Sequence, residues 1–233
     1  MENEVIMQEA FRNVGADYGY VVNRATFVES CDLKVKWARC GRDVEMWVTD
    51  YMKGAPKDIL ESLARTIFSR MTGDMDEPYG EDLVEYLTKE GFIGEFQPIY
   101  LSRLGCASAS PVGRYKDLRK CVERLVESKK IKPLPQTYCG WLPVGLGDSA
   151  GHSSPLMRSV CINSRLDSND ISDELLDFCV YTQMIKIEQG FSPTNTPNNK
   201  LTLAVESYPD SERLIGDLCR IGLSVWRTLS PEC

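Results

Sequence analysis

Gly147-Asp148-Ser149-Ala150-Gly151 fits G-x-S-x-G, the spacing with which serine hydrolases expose a nucleophile, and His152 follows at once. Such a serine needs a strand before it, a helix after it and a histidine brought from elsewhere in the fold. His152 is the chain's one histidine and stands three residues from Ser149, with Pro143 and Pro155 bracketing the segment. The pattern therefore reads first as a Gly/Ser-rich loop, and Ser149 stays as the rival nucleophile, that of a serine hydrolase. Gly145, Gly147 and Gly151 also suggest a phosphate loop, but no Lys-Ser/Thr follows and no helix is expected to open there. Asp32, Asp43, Asp50, Asp74, Asp76 and Glu77 lack calcium-loop spacing and read as solvated turns. The nine cysteines include no C-x-x-C pair. Cys161, Cys179 and Cys219 sit in apolar runs, where a reduced thiol acts as a small hydrophobe.

The elements that would position these groups belong to an ordinary globular chain. Of 233 residues, 42% are hydrophobic and 26% charged, enough for one large domain or a domain with an appendage. No run approaches the roughly 20 apolar residues of a membrane span, and Met1–Asn13 lacks the basic and apolar regions of a secretory signal, so a cytoplasmic location is expected. The net charge is −7. Nucleic-acid binding draws on clustered cations that neutralise phosphates. The basic clusters here, Lys129-Lys130 and Lys34 with Lys36, are short and diluted by acids, which argues against that partner.

Residues 5–30 are weakly patterned and read as a helix and a connector. Leu33–Ala38 and Val44–Thr49 alternate apolar and polar residues around Gly41-Arg42, the signature of a β-hairpin with one buried face. Trp37 and Trp47 on that hairpin are expected to fill the core or cover the sheet. Pro56 then opens a helix whose apolar stripe runs from Ile59 to Met71, and Gly73 stops it. Residues 80–90 and 116–128 read as further helices. Tyr138–Val144 and Leu156–Asn163 read as strands, the first at an edge or ending at Pro143. Ser172 caps a helix over about 173–190, with Asp173 and Glu174 at its positive end. A last helical stretch is interrupted near Pro209.

The order hairpin, helix, strand, capped helix, polar loop, helix resembles the archaeal SprT-like and related small zincin metallopeptidases, over roughly residues 31–71 and 138–221. The most specific piece is Asp173–Phe191 (DELLDFCVYTQMIKIEQGF), and Glu206-Ser207-Tyr208-Pro209-Asp210 resembles the end of the family's following helix. In active relatives the helix carries H-E-x-x-H after the Tyr: two histidines hold zinc and the Glu takes a proton from the metal-bound water. The matching positions here are Thr182, Gln183 and Lys186, a poor ligand, an amide that is no base, and a cation; residues 191–210 hold no histidine. The resemblance thus implies a fold without the chemistry, and no cofactor.

The expectation is an α+β, zincin-like fold: a mixed β-sheet packed against helices, with the former active-site helix across it. Residues 1–30 would be a helical extension and 31–233 a single domain with a helical insertion at about 74–130. The expected function is that of a pseudo-metallopeptidase binding an extended peptide or protein segment along the 156–163 strand, taken as an edge. Arg158, Val160, Ile162, Gln183, Lys186 and Glu206 would line the groove, with Lys186 pairing an acid such as Glu206 because a buried ammonium needs a partner.

Overall fold

Alternation along Val44, Met46 and Val48 turns one face of a strand inward, and all three side chains are buried. The computed structural model in which they lie describes residues 2–106, 110–143, 147–193 and 199–225. The chain is α+β and divides into two compact units, Met1–Phe92 with Ser192–Thr196, and Ile93–Phe191 with Pro197–Cys233.

The first unit runs α1 (Glu2–Asp17), β1 (Val21–Val28), β2 (Val35–Cys40), β3 (Asp43–Thr49), α2 (Lys57–Thr72) and α3 (Glu81–Thr88). Its sheet has the order β1-β3-β2, with β1 parallel and β2 antiparallel to the central β3. Phe11 of α1 meets Phe68 of α2 edge-on, with ring centroids 6.3 Å apart. A side chain at Gly15 would begin 2.9 Å from a Val22 methyl, so this glycine lets α1 approach β1. The break between units falls within α4 (Glu90–Arg103).

The second unit continues with α5 (Leu118–Glu127), β4 (Tyr138–Leu142), β5 (Gly151–Ser154), β6 (Ser159–Asn163), α6 (Asp173–Gln189), α7 (Asn199–Glu206) and α8 (Ser211–Arg220). Its sheet order is β4-β6-β5, with β4 parallel and β5 antiparallel to β6. One core joins Leu118, Cys121 and Leu125 of α5, Val160 and Ile162 of β6, and the inward residues of α6.

The two units share one plan. Each has a helix, a strand, a hairpin whose second strand lies centrally and parallel to the first strand, a 3-10 turn, and a long helix. The register agrees as well: Val28 pairs with Thr49 and Leu142 with Asn163 at the ends of the parallel ladders. Val35 pairs with Val48 and Gly151 with Ile162 at the start of the antiparallel ones. Thr49 and Asn163, both buried, then lead into the 3-10 turns Asp50–Met52 and Ser164–Leu166.

Several expectations are corrected. Residues 1–30 are not a helical extension, because β1 pairs along β3 and builds its sheet. In place of a single mixed sheet the described residues form two three-stranded mixed sheets. The 156–163 segment is no edge: β6 is flanked on both sides, and residues 155–158 form a turn. The edge role falls to β5, within the stretch read as a Gly/Ser loop. Of the two places expected for Trp37, the core is excluded, since the side chain is 40% exposed on β2. The hairpin, the helices at 57–72, 81–88, 118–127 and 173–189, and the break before α8 stand where expected.

Candidate functional site

The helix α6 is placed by its ends and one flank. Ser172 Oγ accepts the Leu175 N–H at 3.1 Å, satisfying a first-turn donor. Asp177 receives a two-pronged bond from Arg124 of α5, Nε to Oδ2 at 2.8 Å and Nη2 to Oδ1 at 2.5 Å. That pair holds Asp177 and Arg124 in register, and the Asp177 carboxylate raises the guanidinium's affinity for its proton. With α6 so fixed, Thr182 and Gln183 are fully buried in the second unit, and β5 and β6 pack against the helix.

There Gln183 is the hub. Its Oε1 accepts from Ser153 Oγ of β5 at 2.9 Å and from Lys186 Nζ at 3.3 Å, while its Nε2 donates to Thr182 Oγ1 at 3.3 Å. Thr182 Oγ1 in turn donates to the Cys179 carbonyl at 2.8 Å. A side chain on Gly151 would begin 3.0 Å from Gln183 Cγ, so the start of β5 lies directly against the hub. Burial holds the Lys186 ammonium down at about 8, against an ordinary value of 10.5. The three positions that the resemblance sets against the metal-binding motif are thus joined with Ser153 in one hydrogen-bond network. Ser153 is a residue the sequence reading missed, since only strand pairing brings it there.

The remaining expected groove residues do not gather. Val160 and Ile162 are buried in the core. Arg158 lies in the turn before β6, in a left-handed conformation, and donates to Gln136 Oε1 at 2.9 Å. Glu206 is exposed at the end of α7, and among the described residues no ion pair joins it to Lys186. The expected Lys186–Glu206 pairing is replaced by the bond to Gln183.

Ser149 is not an exposed nucleophile. It is buried, its Oγ donates to the Gly151 carbonyl at 2.7 Å, and a strand follows it where an elbow needs a helix. His152 Nε2 bonds Tyr100 Oη at 2.7 Å, with the two rings stacked. Of the cysteines expected in apolar surroundings, Cys161 and Cys179 are buried, whereas Cys219 is exposed on α8. Burial raises the Cys139 thiol to about 12, and it also raises Cys179, so these stay protonated and unreactive.

Among the described residues, no group of three or more His, Cys, Asp or Glu could hold a metal ion, and no helix is long and apolar enough to cross a membrane. No family model, curated protein or solved structure matches the chain.

Proposed function

We propose that this chain is a non-catalytic, zincin-like protein of the SprT-like kind and holds an extended peptide along the outer edge of β5. The observation carrying this reading is Gln183: the position that would bear a catalytic carboxylate bears its amide counterpart, tied to the edge strand through Ser153. Among the described residues β5 forms a ladder only with β6; Ser224 bridges Ser149 just before it and the Gly151 carbonyl accepts from Ser149, so the reading sets the partner strand along Ser153 and Ser154. Affinity would come from those main-chain bonds, and no metal takes part. With a hydroxyl, an amide and an ammonium at the three motif positions, the site has neither two imidazoles for zinc nor a base for its water.

The test uses the full chain, purified without chelators. Elemental analysis is expected to find no stoichiometric zinc, and fluorescein-labelled unfolded casein is expected to bind without being cut. Hydrogen exchange of the complex should slow amides of residues 151–154 before all others. Casein cleavage, zinc at one per chain, or slowing confined to other strands would each overturn the reading.

A further inference from the structure

The shared plan of the two units exposes an addition. In the first unit α1 reaches β1 through three residues, Tyr18–Tyr20. In the second, α5 reaches β4 through ten, Ser128–Thr137, although the strand entered is equivalent. The topology does not need the extra length. That length carries Lys129, Lys130 and Lys132 and no acid, in a chain of net charge −7.

All three lysines line a cavity of about 680 Å³ formed with the C-terminal half of α6, a volume in the range of small-molecule sites. Lys129 and Lys132 are exposed, while the Lys130 ammonium sits 4.0 Å above the Tyr208 ring centroid, a cation–π contact that fixes its direction. The one acid in the lining, Glu188, accepts the Lys132 backbone N–H at 3.1 Å, which ties the connection to α6. Val126, Ile131 and Ile185 supply an apolar wall beside the ammonium groups. The lining thus gathers three lysines against a single carboxylate that holds the loop, and an excess of cations of this kind concentrates small anions.

We infer that this cavity binds a small polyphosphate-bearing ligand, its phosphates on Lys129, Lys130 and Lys132. The group can come as free polyphosphate or as a nucleoside polyphosphate whose base rests on the apolar wall. Each phosphate carries acceptor oxygens suited to ammonium donors, and a chain of them can engage several lysines at once. This site lies apart from the Gln183 network and does not depend on the peptide-binding reading.

Isothermal titration calorimetry on the full chain at low salt, with tripolyphosphate and with adenosine triphosphate as probes, tests it. Both are expected to bind at one per chain. Equal affinities identify the phosphates alone as the determinant, and at least tenfold tighter binding of adenosine triphosphate adds the apolar wall. The double variant Lys129→Gln/Lys132→Gln, which alters two exposed side chains, should weaken either probe at least tenfold. Lys34→Gln/Lys36→Gln, on β2 and its approach, should leave binding within twofold. Absence of heat with both probes, or equal binding by the first double variant and the unaltered protein, overturns the assignment. So does binding of single-stranded oligonucleotide without binding of tripolyphosphate.

Discussion

Replacing Lys186 by Met should stabilise the protein at pH 7 and do so less as pH rises. The ammonium is held at about 8 by burial, against 10.5 ordinarily. At about 1.4 kcal/mol for each pH unit, keeping this group charged in the folded state costs roughly 3 kcal/mol. Removing it forfeits the 3.3 Å bond to Gln183 Oε1, worth about 1 kcal/mol, with any other contact of the ammonium, so Lys186→Met should gain at most roughly 2 kcal/mol at pH 7. At pH 7 the proton is bound in folded and unfolded chains alike, and the folded state bears the whole cost. Between pH 8 and 10.5 the folded protein releases that proton while the unfolded chain keeps it. The unfolded state then binds more protons, and the unaltered protein gains stability with rising pH in that window. Buried thiols such as Cys139 push the other way there, because the unfolded chain loses protons that the fold retains. The difference between the two proteins removes their contribution. Urea denaturation of both from pH 7 to 10.5 should show the variant's advantage shrinking steadily above pH 8. An advantage that does not change with pH, or a variant less stable at pH 7, would refute the argument that burial of this charge is a net burden.

Arg124→Met removes the two-pronged contact with Asp177 and leaves a largely covered carboxylate facing apolar carbons; a loss of about 2 kcal/mol in urea denaturation is expected. Arg70→Met should destabilise by roughly 1–3 kcal/mol on the same measurement, because the buried guanidinium donates twice to the Glu77 carbonyl and lies 4.5 Å from the Tyr79 ring centroid. A fluorophosphonate probe should not label Ser149, whose hydroxyl is committed to the Gly151 carbonyl, and mass spectrometry of the labelled chain reads this directly.

What the residues disclosed and what they hid divide along one physical line. Local signals stood out: the Ser172 cap, the stripe along α2, and alternation around Gly41-Arg42, all of which act within a few residues. Partners distant in the chain did not. β1 (VVNRATFV) has three of its side chains exposed and three half-covered, so its alternation is blurred, and its register with β3 shifts after Val22. β6 reads as an edge only until β4 and β5 are both placed beside it, and β5 (GHSS) is too short and polar to announce a strand. α4 contains Gly91, Gly94 and Pro98, residues that weaken any helical pattern, although its burial of Phe92, Ile93, Tyr100 and Leu101 offsets them. Thr182, Gln183 and Lys186 were singled out only through the resemblance, and Ser153 joins them only across the chain.

The likeness between the units narrows which residue of α6 the proposed reading can rest on. Thr66 and Arg70 follow the N-cap Pro56 of α2 at the same distances at which Thr182 and Lys186 follow Ser172. The resemblance assigns no metal ligand to α2, so a buried threonine and a long cation at these places fit the packing of this topology by itself. The position after the threonine separates the explanations. It is Ile67 in α2 and Gln183 in α6, both buried. Isoleucine needs no polar partner, but a buried amide does, and Ser153, Lys186 and Thr182 supply them. Gln183→Glu sets a carboxylate beside the ammonium, which should raise the Lys186 proton affinity and abolish the stability gain between pH 8 and 10.5. Gln183→Ile, copying the first unit, strips Ser153 and Lys186 of their shared acceptor and should cost roughly 1–3 kcal/mol. If the isoleucine variant is instead as stable as the unaltered protein, the amide is a tolerated stand-in for an apolar residue, and the face preserves no trace of a catalytic carboxylate.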